Sequence, residues 1–308
     1  MPTYDKDTKM LRGEPVIRRM GACSICGEMT PFVHEGRLYR MELNNRDYGV
    51  SIARSHARIV DVETGSILST FGGPDFYYYS GFYENGTLYV FATGRSPASA
   101  CYRFASRDLV HWEQVKLFDF PGFRFFNTGV AHGPDGYWMC IEANEPRALV
   151  GVPFTCFFLH SEDMLHWEML PPEEYAYPRD RYCGGPCLKY SDGWYYLILV
   201  EEMPLCRYTN YIHRTRDFKT FETGKYNPLL PFGDPGDRKL SPRCANVPDT
   251  FAEEVATAFI SSSSDVDLCE FEGKTYINYI LGNQLSYYFT CEAEYDGPMA
   301  DFLARFFD

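Results

Sequence analysis

Apolar and polar positions along this chain alternate over short runs that break at glycine-containing turns, the pattern of half-buried strands. Five runs share one form: an apolar strand, a tight turn with glycine, then an aromatic strand. They cover residues 30–39 with the turn at Gly36, 80–89 at Gly86, 129–139 at Gly136, 185–196 at Gly193 and 267–276 at Gly273. The turn pairs Glu-Gly, Asn-Gly and Asp-Gly are hairpin chemistry, because glycine supplies the positive φ that such turns need. Each run therefore predicts a β-hairpin.

A second motif recurs between the hairpins. It reads Ser-Arg-Asp-Leu-Val-His-Trp-Glu at 106–113, Ser-Glu-Asp-Met-Leu-His-Trp-Glu at 161–168 and Thr-Arg-Asp-Phe-Lys-Thr-Phe-Glu at 215–222. The carboxylates of Asp108, Asp163 and Asp217 suit turns closed on their own backbone, with the aromatic plugging the sheet behind. Residues 55–61, ending in Asp61, read as a degenerate copy.

Successive turn glycines lie 50, 50, 57 and 80 residues apart. Five hairpins, each with a return hairpin, predict an all-β fold: a five-bladed β-propeller of four-stranded antiparallel blades, one domain across 1–308. Blade strands are expected to start near Glu28, Tyr78, Asn127, Cys183 and Asp265. The longest gap holds a stretch at 226–254 rich in Pro, Gly and Asp, too long for a plain connection and expected to be a functional rim loop. Residues 299–308 suit a short amphipathic helical turn packed on the bottom.

Composition narrows the functions. The net charge of −13 offers no basic footprint for nucleic acid. Eleven cysteines are scattered through apolar runs, with one C-x-x-C at Cys23 and Cys26 and no second pair, so neither zinc nor any other metal or cofactor is expected. Unpaired thiols and the lack of a leader-like start point to the cytoplasm. No 18-residue apolar stretch exists to cross a membrane.

Propeller geometry selects candidate residues. Inner strands begin at one mouth of the axis, and the second strand of each blade climbs back to it. Eight residues before each turn glycine stand Glu28, Tyr78, Thr128, Gly185 and Asp265, with Asp267 two further on the same face. Six to nine residues after it stand Glu42, Glu142, Glu145, Glu201, Glu202 and Arg95. Asn127, Asn144 and Asn283 can each both donate and accept hydrogen bonds at that mouth. Tyr78 and Tyr79 could form a stacking wall.

The Ser-x-Asp-Leu-x-x-Trp segments and the Gly-Pro-x-Leu-x-Tyr-x-x-Gly-Trp-Tyr-Tyr-Leu segment at 185–197 resemble the five-bladed propeller glycosidases, the group around glycoside hydrolase families 43, 62, 32, 68, 117 and 130. The resemblance covers most of the chain and implies a carbohydrate substrate. In family 43 the strand matching 184–197 opens with Glu-Gly-Pro, its Glu being the acid, where this chain has Gly184-Gly185-Pro186. The Asp-Pro that supplies the family's base is likewise missing, so the chain resembles a divergent member whose carboxylates sit elsewhere.

Glycoside cleavage needs two carboxyl groups flanking the bond. The expected catalytic set is Glu28, Glu201, Asp265 and Asp267. Glu201, at the end of an apolar strand, is expected to have a raised pKa and donate the proton. Asp265 or Glu28 is expected to stay ionised and activate water, with Asp267 orienting its neighbour. Inversion is the expected outcome. Tyr79, Arg95, Asn127, Glu142, Glu145 and Asn283 are expected around the substrate. Two other readings stay open: a glycoside phosphorylase, which needs a basic pocket from Arg95, Arg243 and Arg46, and a non-catalytic carbohydrate-binding propeller.

Overall fold

The structure, a computed structural model, describes residues 4–5, 10–11, 13–44, 55–283 and 287–308. Five four-stranded antiparallel blades make up the propeller. The first holds Gly27–His34, Arg37–Asn44, His56–Asp61 and Ile67–Phe71. The second holds Phe76–Glu84, Thr87–Gly94, Ala100–Ser106 and Glu113–Asp119. The third holds Arg124–Gly133, Gly136–Glu145, Thr155–Ser161 and Glu168–Met169. The fourth holds Cys183–Ser191, Trp194–Met203, Arg207–Thr215 and Phe221–Thr223. The fifth holds Ser262–Phe271, Lys274–Gly282, Tyr288–Tyr295 and, as its outermost strand, Ile17–Ser24 from the other end of the chain. The five innermost strands pack on one another in a closed ring.

The hairpin turns form as their residues require. Glu35, Asn85, Asp192 and Glu272 take φ near 50°, and the glycine after each takes φ of 74–78°. Two successive positive φ values make a turn that matches strand twist. Between hairpins, Asp108 Oδ1 accepts from the backbone N–H of Val110 and His111, Asp163 from Leu165 and His166, and Asp217 from Lys219 and Thr220. Asp61 closes its own turn on Glu63 and Thr64. The motif aromatics then fill the seams between blades: Trp112 stacks on Phe71 at 3.7 Å and Phe221 on Tyr177 at 3.8 Å.

The stretch at 226–254 is no rim loop. It runs along the outside of the fifth blade and covers the edge of the closing strand. Lys239 and Ser241 exchange backbone bonds with Ala22, Asp237 pairs with Arg19, and Arg243 pairs with Glu294. An exposed sheet edge invites foreign strands, so a long insertion laid over it has a structural use. The terminal helix Met299–Arg305 buries Phe302 and Leu303 against the same cluster. All eleven cysteines are free thiols, and Cys156 and Cys183 approach to 3.7 Å between the third and fourth blades. Among the described residues no helix is long and apolar enough to cross a membrane.

Candidate active site

All five inner strands break register at one height, close to their first residues. The irregularities fall between Gly27 and Met29, Tyr77 and Ser80, Phe125 and Thr128, Gly184 and Cys187, and Ser264 and Asp267. Four of them carry a positive φ: 46° at Glu28, 54° at Tyr78, 54° at Gly185 and 47° at Asp265. For a residue with a Cβ that conformation costs about 1–3 kcal/mol. A bulge re-aims a side chain, and five at one height turn five side-chain positions toward a single mouth.

Three carboxyl groups gather there. Asn127, on the third inner strand, donates its amide Nδ2 to Glu28 Oε2 at 2.5 Å and to Asp265 Oδ1 at 3.4 Å. Those two oxygens therefore lie within about 6 Å of each other. Glu142, on the second strand of the third blade, accepts the backbone N–H of Gly185 at 3.0 Å. Its carboxyl fills the space beside the two glycines: a Cβ on Gly184 would stand 2.8 Å from Glu142 Oε1, and one on Gly185 would stand 2.6 Å from Asp265 Oδ1.

No arginine, lysine or histidine forms an ion pair with these three acids among the described residues. Burial raises the Glu28 carboxyl well above its ordinary value, and the Asp265 and Glu142 charges add to it against the Asn127 bond. Burial likewise raises Asp265. Glu142 is pushed up to about 8, mainly by burial and further by Asp265, although the Gly185 and Asn127 backbone N–H groups pull the other way. Acids this crowded and dry cannot all ionise near neutral pH, so the group holds at least one proton.

Below the acids the axis narrows to a cavity of about 30 Å³, room for a water or two and none for a sugar. Aromatic rings stand around the acids on the other side. Tyr77, Tyr78, Phe126, Phe154, Tyr182 and Tyr208 form a chain of edge-to-face contacts with centroids 4.4–5.3 Å apart. Arg95 lies over Tyr77 and Arg124 over Phe126. Burial and the nearby Glu142 and Asp265 charges raise the Tyr182 phenol, so it stays a neutral hydrogen-bond donor.

The other expected residues fall elsewhere. Glu201 takes two hydrogen bonds from Arg181, at 2.7 and 2.9 Å, and one with His213 at 2.8 Å. Burial alone would raise its carboxyl, but His213 and Arg181 outweigh it and hold it below its ordinary value. The expected proton donor is thus a structural anion. Asp267 lines the axial cavity but pairs with Lys189 at 2.7 Å and accepts from the Cys187 thiol, so it does not orient Asp265. Tyr79 is buried between the first two blades with its hydroxyl on Gly73, because the bulge turns Tyr78 to the mouth instead. Glu42 is locked between Arg40 and Arg58.

Glu145 is exposed at the end of its strand. The Asn283 side-chain oxygen accepts the Tyr287 backbone N–H. Arg243 belongs to the fifth blade's edge and Arg95 to the mouth, and Arg46 lies outside the described residues. The sequence reading missed Phe126, Phe154, Tyr182 and Tyr208. Their signal was present for Phe126 and Tyr182, which stand next to the predicted strand mouths.

No family model matches the chain, and no curated protein does. Solved structures do. The GH43 BlXynB protein from Bacillus licheniformis superposes with a TM-score of 0.59 at 17% identity, over 88% of this chain and 52% of that one. This chain thus spans about half the length of that protein. A thermostable family-43 glycoside hydrolase gives 0.59 at 12% identity over 89% of each chain. The GH32 beta-fructofuranosidase of Bombyx mori gives 0.55 at 12% over 91% of this chain and 62% of that one. The likeness is one of fold alone: at 12–17% identity this chain forms the same kind of five-bladed propeller.

Proposed function

We propose that this chain, with its glycosidase-type propeller, is a glycoside hydrolase acting on a small oligosaccharide or glycoside. The observation that carries the reading is the convergence of Glu28, Asp265 and Glu142 at an aromatic-lined mouth without a neutralising cation. A structural acid is normally paired, as Glu42 and Glu201 are here. Three unpaired, desolvated acids lower stability, and sites that keep such groups use them.

Glu28 and Asp265 share one amide nitrogen as donor and titrate as a unit. The Asn127 nitrogen touches both, so the scissile bond cannot lie between them. They act together on one side of it: the ionised member takes a proton from water, and its partner tunes when it does so. The rings at the mouth give the sugar apolar faces to rest on. The test is Glu28→Gln and Asp265→Asn, assayed over a panel of aryl and alkyl glycosides. Each variant should lose about 10²–10⁴-fold in turnover while still binding sugar. If both keep near-normal turnover on a glycoside that the parent cleaves, the pair is not catalytic.

A further inference from the structure

We infer that Glu142 is the proton donor of this site, delivered from the third blade into the gap that Gly184 and Gly185 leave at the head of the fourth. The assignment rests on the glycosidase reading and adds the half of the reaction that Glu28 and Asp265 cannot supply.

Those two acids sit on one amide and can serve only one side of the scissile bond. A glycosidic oxygen leaving from the other side needs an acid of its own. No carboxylate on the fourth inner strand can provide it. Residues 184 and 185 are glycines, and even a methyl group at either would press on a carboxyl already in place. The carboxyl in that place beside Gly184 is Glu142. Its Oε2 takes the Gly185 N–H, and the Asn127 backbone N–H also bonds the carboxyl; together they fix its orientation, with Oε1 the oxygen nearest Gly184. The carboxyl is buried, 5% exposed, and residues 184 and 185 put no side chain of their own over it.

The comparison within the molecule is direct. Glu42 stands at the same position of the first blade, six residues past its turn glycine, and is neutralised by two arginines. Glu142 has no such partner, and burial keeps its proton on near neutral pH. In the reaction the Oε1–H bond breaks and the proton passes to the glycosidic oxygen as the bond to the anomeric carbon opens. Water adds to that carbon and gives its proton to the Glu28–Asp265 pair. Water is thereby added across the bond, and exchange with solvent resets both groups.

The experiment compares leaving groups. A dinitrophenolate departs unaided, whereas an alkoxide needs the acid. Glu142→Gln should lose about 10²–10⁴-fold on alkyl glycosides and stay within about tenfold of the parent on dinitrophenyl glycosides. The alkaline limb of the pH–rate profile should vanish with it. If the variant loses both substrate classes equally, with the limb kept, Glu142 is not the donor while the glycosidase reading stands. If the variant does not fold, the parent decides: an alkaline limb on alkyl glycosides that is absent on dinitrophenyl glycosides supports the donor, and identical profiles overturn it. A parent that cleaves nothing in the panel overturns the underlying reading itself.

Discussion

Glu142 makes a prediction about stability that needs no substrate. Its ordinary pKa is 4.5 and the fold raises it to about 8. A raised acid favours the folded state fully at pH values below 4.5, and that advantage is lost as pH climbs to about 8. At pH 7 the folded protein holds a proton that the unfolded chain would release, at about 1.36 kcal/mol for each pH unit above the unfolded value. That is about 3 kcal/mol, against less than about 1 kcal/mol at pH 5. Glu142→Gln cannot titrate and keeps the shape of the protonated acid. Urea unfolding of parent and variant at pH 5, 6 and 7 measures the difference. Relative to the parent, the variant should gain about 2–3 kcal/mol between pH 5 and pH 7, close to one proton. A difference that stays flat with pH would refute the claim that this carboxyl is protonated in the fold.

Two further outcomes follow from the site. Glu201→Gln should destabilise by about 2–3 kcal/mol, the low end for a buried pair because Arg181 is a third exposed, with folded turnover within about threefold of the parent; a large loss of turnover with stability intact would return Glu201 to the catalytic set. Tyr182→Ala should raise KM about tenfold with kcat little changed, by removing one sugar-facing ring; an unchanged KM would exclude the ring chain as the binding wall.

The repeat was legible because its chemistry is local. Glycine and aspartate make their turns wherever they fall, so the hairpins and the blade number follow from spacing alone. Counting back eight residues from each turn glycine reached the bulge in four blades, at Glu28, Tyr78, Gly185 and Asp265. Glu28, Asp265, Asn127 and Glu142 are brought together at the mouth that this geometry predicts. What strand offset could not carry is the partner of each acid. Arg181 lies twenty residues before Glu201, in the connection ahead of the fourth inner strand, and His213 twelve after it, on the third strand of that blade, and only the fold puts both on one carboxylate. The stacking wall was expected of both Tyr78 and Tyr79, and only Tyr78 joins the rings at the mouth, because the bulge turns Tyr79 into the seam between blades. The long insertion looked functional by its length, and no sequence signal marks the strand edge it covers.

The strand that closes the ring sets a timetable for making the molecule. Ile17–Ser24 pairs with Tyr288–Tyr295, so a segment made early must wait for one made about 270 residues later. Until then the circle is an open arc, with apolar ends awaiting each other and a contact of very high sequence separation still to form, the slowest kind in folding. During that wait the free edge of the fifth blade is a template for any passing strand. A nascent chain stalled before Tyr288 therefore carries nearly all of the site-forming residues and no means of sealing them, and its fate is set by competition between completion and capture.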